Sequence, residues 1–333
     1  MKESSVNLEK AKKLGQLIKD TLIPLVNNDY VLLDVPNHRN TGDNLIWEGE
    51  LAFFKEISFK KIYGANHSCY DKEKIPKDSV IFLHGGGNFG DLYMSSQNLK
   101  LDIVKSFKKN RIIVFPQTVF YNKNENLLND MKVFSSHPNL YMCVRDTVSY
   151  NLLKPFFGED KLLLLPDMAF CLDFSDKVDK TNKGQILYIK RTDAELQSKF
   201  NMEKLFKEFK DNKVVISDWT SYSNNKFLNR LLLYKDEFLL RLSKVFLKSK
   251  LLSLFVDDEF GLNSKKNRKY FVDEGVKFIN SYDLIITTRL HGLILSILLD
   301  KKIFLLDNSY GKNSNFFKTW LLDFEDIILR KDL

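Results

Sequence analysis

Five polar segments follow short apolar runs, and each places anion-binding or proton-carrying side chains where a strand would end. Asn40-Thr41-Gly42-Asp43-Asn44 is the first, and His84-Gly85-Gly86-Gly87-Asn88-Phe89-Gly90-Asp91 the second. Glycine admits positive φ and lets a ligand approach backbone N–H groups. Gly85, Gly86 and Gly87 with Asn88 therefore read either as a cradle for an anion or sugar or as a tight structural turn. The loop carries neither the Gly-Lys-Ser/Thr of an NTPase nor the G-x-G-x-x-G of a dinucleotide fold. In the first segment, Asp43 reads equally as a helix cap and as a binding residue beside Asn40, Gly42 and Asn44.

The other three segments concentrate cations. Met142-Cys143-Val144-Arg145-Asp146 ends an apolar run with an arginine, whose planar fork suits a carboxylate or phosphate; the bland alternative is a salt bridge to Asp146, itself placed to cap the next helix. Thr287-Thr288-Arg289-Leu290-His291-Gly292 puts an arginine and a histidine before the apolar helix Leu293–Leu299. A helix N-terminus and Arg289 would favour an anion there and lower the proton affinity of His291. Downstream, Asp307-Asn308-Ser309-Tyr310-Gly311-Lys312 adds a mobile point charge suited to phosphate, or a solvated surface lysine if it stands alone.

The elements that must hold these residues alternate strand and helix. Strands are expected at Tyr30–Val35, Ser79–Leu83, Arg111–Phe115, Leu140–Val144 and Leu162–Leu165, then at Gln185–Ile189, Val214–Ser217, Leu284–Thr287 and Ile303–Leu306. Helical patterns lie between them, and Leu8, Ala11, Leu14, Leu17 and Ile18 mark an amphipathic helix near the start. Such alternation implies parallel sheets. The polar run Ser175–Gly184 is the best linker, which divides the chain at 176/177 into two doubly wound Rossmann-like α/β domains facing across a cleft. Ligands in such sheets sit beyond the carboxyl ends of the strands, here in the cleft.

At 333 residues, two domains are the natural count for units of roughly 100–200 residues. With 44% hydrophobic and 28% charged residues the composition is globular rather than disordered or membranous. A net charge of +8 suits anionic small molecules, lipid head groups or nucleic acid, yet no nucleic-acid-binding signature accompanies it, so no nucleic-acid partner is expected. Three isolated cysteines, Cys69, Cys143 and Cys171, form no metal or redox pair, and no H-E-x-x-H spacing occurs. Neither a metal nor a cofactor is expected. A start charged throughout and no run near ~18 apolar residues lead to the expectation of a soluble, cytoplasmic protein. Within 226–256, Arg230, Glu237, Arg241, Lys244 and Lys248 recur at helical spacing against Leu231, Leu242, Val245, Phe246 and Leu252. That pattern fits a basic amphipathic helix reaching the inner face of the membrane, or a helix whose apolar side packs on the second domain.

The GGGNFGD segment, the V-R-D-x-x-S element, T-R-L-H-G and the Y-G-K loop occur in the order seen in polysaccharide pyruvyl transferases, and from about Val31 to Phe317 the chain resembles that family. The resemblance implies a glycosyltransferase-B-like arrangement and transfer of pyruvate from phosphoenolpyruvate, as a ketal, onto a sugar of a polysaccharide or its lipid-linked precursor. It further implies phosphoenolpyruvate contacts at Arg145, Arg289, His291 and Lys312, with Arg145 and His291 catalytic. His291 would be the acid or would polarise the phosphate. The acceptor would face Asn40, Gly42, Asp43, Asn44, Gly85, Gly86, Gly87 and Asn88, on the domain 1–176 side, with the donor on the domain 177–333 side. A nucleotide-sugar glycosyltransferase and a non-catalytic anion or saccharide binder are the rival readings.

Overall fold

Continuous apolar runs, unlike alternating ones, belong to strands covered on both faces. In the computed structural model, which describes residues 5–190, 202–219, 226–262, 266–308 and 311–330, they do so in two parallel sheets. The first half contains α1 (Val6–Leu22), β1 (Tyr30–Leu33), α2 (Thr41–Phe54), β2 (Lys61–Ala65), β3 (Val80–Leu83), β4 (Gly86–Gly90), α3 (Met94–Ser106), β5 (Ile112–Phe120), α4 (Asn124–Ser135), β6 (Leu140–Val144), α5 (Thr147–Leu153) and β7 (Leu162–Leu164). The second contains β8 (Gln185–Ile189), α6 (Met202–Glu208), β9 (Lys213–Ser217), α7 (Lys226–Phe246), α8 (Lys266–Asn280), β10 (Leu284–Thr287), α9 (Leu290–Leu298), β11 (Lys302–Leu305), α10 (Lys312–Trp320) and β12 (Ile327–Leu329).

The first sheet runs β2-β1-β3-β5-β6-β7, with β4 pairing on β5, and the second runs β12-β11-β10-β8-β9. Both share one topological feature. From β1 the chain steps out to β2 and returns to β3 on the opposite side, and β8, β9 and β10 repeat the manoeuvre. The loops leaving β1 and β3, and those leaving β8 and β10, thus diverge and open a crevice at each sheet's carboxyl edge. The α/β architecture of two facing doubly wound sheets is the expected one.

Several elements differ from expectation. β2, β4 and β12 were not anticipated, since β2 and β12 are short and partly exposed and β4 is the glycine-rich segment itself. The first strand stops at Leu33, because Asp34 adopts φ 64. α9 begins at Leu290 rather than Leu293, with Arg289 as its N-cap residue. Ser309 and Tyr310 lie outside the described residues. The apolar stripe expected at Leu231, Leu242, Val245, Phe246 and Leu252 is divided: Leu242 and Phe246 turn half-buried toward the protein, while Phe227, Leu231, Tyr234, Phe238 and Val245 lie exposed.

The two halves are joined by apolar packing. One continuous cluster extends from Leu32 and Phe82 through Trp47 and Phe53 to Leu293–Leu299 of the second half. Trp47 stacks on Phe260 at 5.2 Å, and Arg268 covers the indole at 4.6 Å. α1 spans the division, because the Asn7 side chain exchanges hydrogen bonds of 2.7 and 2.9 Å with the Glu325 backbone. The turn Met168–Cys171 is held still more closely. A Cβ on Gly15 would stand 2.3 Å from the Phe170 carbonyl oxygen, and one on Gly49 would stand 2.1 Å from that of Met168. α1 and α2 can approach this turn only because both positions lack a side chain.

Gly49→Ala is therefore expected to destabilise the fold by roughly 1–3 kcal/mol, the usual penalty for overpacking, read as a lower urea midpoint. An unchanged midpoint would mean that α2 is not seated so closely on the turn.

Candidate active site

The crevices of the two sheets merge into a cleft of about 400 Å³. Asp34 and Pro36 after β1, His84, Gly85, Gly87 and Asn88 after β3, and Asn40 and Asp43 at the start of α2 form one side. Trp219 after β9, Arg289 and His291 after β10, and Lys312 at the start of α10 form the other. The strand-end segments singled out above thus meet in one place, except that Met142–Asp146 adds nothing to the cleft surface.

His291 is placed by its neighbours rather than by its own turn alone. The Thr287 hydroxyl accepts from the Arg289 N–H at 3.0 Å and donates to its carbonyl at 3.1 Å, shaping the start of α9. A Cβ on Gly42 would lie 2.3 Å from His291 Nδ1, so the helix across the cleft leaves room for the imidazole only by being glycine there. His291 Nε2 stands 3.5 Å from Asp167 Oδ2, close enough for the carboxylate to act on its charge but not hydrogen-bonded to it. Burial drives the proton affinity of His291 down, and Arg145 adds to this, against the pull of Asp167. The direction is the expected one, but the cause is different. Arg289 is engaged by Asp218 in a two-pronged pair, one arm of which is 2.6 Å, and is not the charge acting on His291. An imidazole so biased is neutral near pH 7, which suits accepting a proton better than donating one.

Arg145 departs from expectation in its partner and its exposure. It is fully buried instead of open to the cleft, its Nε donating to Thr118 Oγ1 at 2.9 Å and its Nη1 to Asp167. Asp146, the expected partner, instead caps α5 by accepting from the Ser149 N–H at 2.8 Å. Burial alone would raise the Asp167 carboxyl, yet the Arg145 guanidinium and His291 hold it well below the usual carboxylate range. The remaining guanidinium nitrogen, Nη2, is buried with no partner among the described residues. It points to Gly87: a Cβ there would lie 3.3 Å from Arg145 Nη2 and 2.6 Å from Lys312 Nζ. Lys312 is held by its own backbone, whose N–H donates to Asn308 Oδ1 at 2.7 Å. The bare α-carbon of Gly87 thus marks the point on which two cations converge.

The expected acceptor residues divide into two groups. Asn40, Asp43, Gly85, Gly87 and Asn88 line the cleft, whereas Gly42, Asn44 and Gly86 do not. Asn44 is buried and donates at 2.9 Å to the carbonyls of His38 and Asn40. Asn40, not Asp43, caps α2, accepting from the Gly42 N–H at 2.9 Å. Asp43 instead sits in the helix's first turn, where burial would raise its carboxyl but His38, His291, His84 and Lys312 keep it lowered. Asn88 accepts from Lys100 Nζ at 3.0 Å, and that buried ammonium also bonds Asp34 at 2.7 Å.

Three site groups escaped the sequence reading: Asp167, the Glu50–His84 pair and Trp219. The first two had a faint signal. Asp167 follows a strand and a proline, His84 opens the glycine run, and Glu50 falls on the otherwise apolar face of α2. Among the described residues, no three histidine, cysteine, aspartate or glutamate side chains gather as a metal site would require.

The chain is similar to known proteins in sequence and in fold. Residues 40–310 match the family described as polysaccharide pyruvyl transferase. A Bacillus subtilis protein named for pyruvyl transfer, EpsO, is 31% identical over 324 residues, covering 96% of this chain and 92% of its own. Pyruvyl transferase 1 of Schizosaccharomyces pombe is 27% identical, covering 87% of this chain and 69% of its own. Among solved structures, an uncharacterized Klebsiella pneumoniae protein superposes with a TM-score of 0.61 over 96% of this chain and 98% of its own, at 18% identity, and so shares the fold. The family match spans most of the chain and takes in His84, Gly87, Asn88, Arg289 and His291 of the cleft, and the relative EpsO is matched over nearly its whole length, so the chain belongs to the polysaccharide pyruvyl transferase family.

Proposed function

We propose that the protein transfers the pyruvyl group of phosphoenolpyruvate to a pair of saccharide hydroxyls, closing a ketal and releasing phosphate. The observation that carries this reading is the convergence of Arg145 Nη2 and Lys312 Nζ on the side-chain-free Gly87. A donor bearing both a carboxylate and a phosphate needs two fixed cations at short range. Arg289, already paired with Asp218, sits at the rim, where it orients rather than neutralises the donor. His291, neutral and oriented by Asp167, accepts the proton of the attacking hydroxyl or hydrogen-bonds the departing phosphate. The acceptor sugar lies along Asn40, Asp43 and Asn88, with the Trp219 indole at the opposite wall as an apolar face for it. Catalysis of this kind rests on positioning and on preorganised charge.

The same reading places the enzyme at the membrane surface, where a lipid-linked acceptor would be found. Phe227, Leu231, Tyr234, Phe238 and Val245 recur at steps of four, three, four and seven along the solvent face of α7, between 49% and 72% exposed. Leu251, Leu254 and Phe255 continue the apolar surface, and Arg230, Lys235, Arg241, Lys244 and Lys248 are exposed beside it. Apolar side chains entering the interface beside lysines and arginines are what an anionic leaflet binds. Among the described residues, no helix is long and apolar enough to cross a membrane.

Arg145→Lys, which keeps the charge but loses the fork, is expected to retain the fold and lose pyruvyl transfer. Arg145→Ala would also strand Asp167, at a cost of about 3–5 kcal/mol in stability. Unchanged kinetics in a folded Arg145→Lys protein would remove Arg145 from the donor site. Lys312→Met should weaken phosphoenolpyruvate binding at least about tenfold by calorimetry, the loss of one charge-assisted contact. His291→Ala should lower kcat far more than it raises the phosphoenolpyruvate KM. Turnover of a UDP-sugar without any dependence on phosphoenolpyruvate would replace the whole reading with glycosyl transfer. For the surface, sedimentation with anionic vesicles should carry the protein down at low salt, less at high salt and less for Phe238→Ser with Arg241→Gln. Failure to sediment at low salt would exclude attachment.

A further inference from the structure

A fully buried carboxylate is costly unless its charge is used by a close partner. Glu50 lies on α2 with no exposed surface, in line with Ile46, Phe53 and Phe54. Its Oε2 stands 2.9 Å from His84 Nδ1, and its Oε1 accepts from the Gly85 N–H at 2.9 Å. The His84 backbone is fixed as well, its N–H donating to Leu33 O at 3.0 Å and its carbonyl accepting from Gln117 Nε2 at 2.6 Å. With Nδ1 committed to Glu50, the other ring nitrogen, Nε2, is buried and has no partner among the described residues, although the ring borders the cleft. A buried N–H without an acceptor is costly, and a substrate atom in the cleft would remove that cost.

The electrostatics support the geometry. Burial works against a charged ring, but Glu50, then Asp43 and Asp34, outweigh it and raise the proton affinity of His84 above that of an ordinary imidazole. Lys312 and His291 border the same cleft, and His291 is biased the opposite way. Two imidazoles on buried carboxylates, pushed apart in this manner, have the makings of an acid and a base.

We propose that His84 is the proton donor of the transfer, its Nε2–H delivering the proton to C3 of the enol, and that Glu50 is the positioning residue that holds it there. The assignment rests on phosphoenolpyruvate being the donor. The N–H bond of His84 breaks as the C2=C3 electron pair forms the new C3–H bond, leaving C2 an oxocarbenium centre. One sugar hydroxyl oxygen adds to C2, and its proton passes to His291. The bond from C2 to the phosphate oxygen breaks with its pair going to phosphate, the second hydroxyl oxygen adds to C2, and its proton leaves on the phosphate. His84 ends one proton poorer and His291 one richer, which exchange with water resets.

The full-length protein, labelled with ¹⁵N in its five histidines and assigned with single His→Gln variants, tests this by NMR titration with and without phosphoenolpyruvate. His84 should hold its proton above the 6.5 of a free imidazole, its Nε2 resonance should move on phosphoenolpyruvate addition, and Glu50→Gln should lower its proton affinity about tenfold or more. A His84 that is neutral at pH 7, or that stays unmoved while phosphoenolpyruvate shifts His291, would overturn the assignment but leave the donor reading intact. If calorimetry detects no phosphoenolpyruvate binding at all, the donor reading falls and the assignment with it. With a nitrophenyl hexoside that the wild-type protein pyruvylates, His84→Gln should lower kcat about 10²–10⁴-fold with little change in phosphoenolpyruvate affinity. An acid must carry its proton, so the wild-type rate should fall as pH rises through the value of His84. Glu50→Gln should move that fall to lower pH. A loss in His84→Gln of less than about threefold would equally overturn the proposal.

Discussion

The cleft depends on the buried Asp167 carboxylate more than on any other group. It takes Arg145 from the end of β6 and faces His291 on α9, so one side chain ties the edge of the first sheet to the edge of the second. A charge so far from water is tolerable only with partners in place, and removing one strands the others at about 3–5 kcal/mol. That is why the turn carrying Asp167 is gripped so closely. Its Oδ1 accepts from the Ala169 N–H at 3.0 Å, and the next residues are pressed by α1 at Gly15 and α2 at Gly49. Packing that looks remote from the chemistry thus sets the position of the carboxylate, and through it the guanidinium and the imidazole.

The remaining charges follow the same rule. Around the cleft, Lys100 is held by Asp34, Arg289 by Asp218 and His84 by Glu50. Each cation is oriented by an acid behind it, and the groups left to meet a substrate are those whose remaining valence turns inward. The overall charge of +8 therefore says little about where an anion binds. Arg145 Nη2, His84 Nε2 and His291 Nε2 say more, because each is a buried nitrogen with no hydrogen-bond partner among the described residues.

Close approach accounts for the glycines that matter most. Gly87 admits Lys312 and Arg145 to one point, and Gly42 admits the His291 ring. Neither position has a positive φ, so what they supply is space rather than an unusual backbone conformation. Gly86 and Gly90, at φ 121 and 120, supply the backbone freedom instead and let the run continue as β4 alongside β5.

Local pattern was enough to read the alternating strands and helices, the parallel sheets, and the placing of Arg145, Arg289, His291 and Lys312 at strand or helix ends. Hydrophobic runs and their punctuation are properties of neighbouring residues, and parallel topology brings strand ends to one edge. Pairing could not be read in this way. Asp146 adjoins Arg145 in sequence, yet Asp167, twenty-two residues along, holds it. Glu50 and His84 are thirty-four residues apart and belong to a helix and a strand end that touch only in the folded sheet. A side chain's partner, exposure and proton affinity depend on distances between elements, which only tertiary packing determines, so the sequence by itself named the candidate cations while the fold decided which acid holds each one and which nitrogen is left for the substrate.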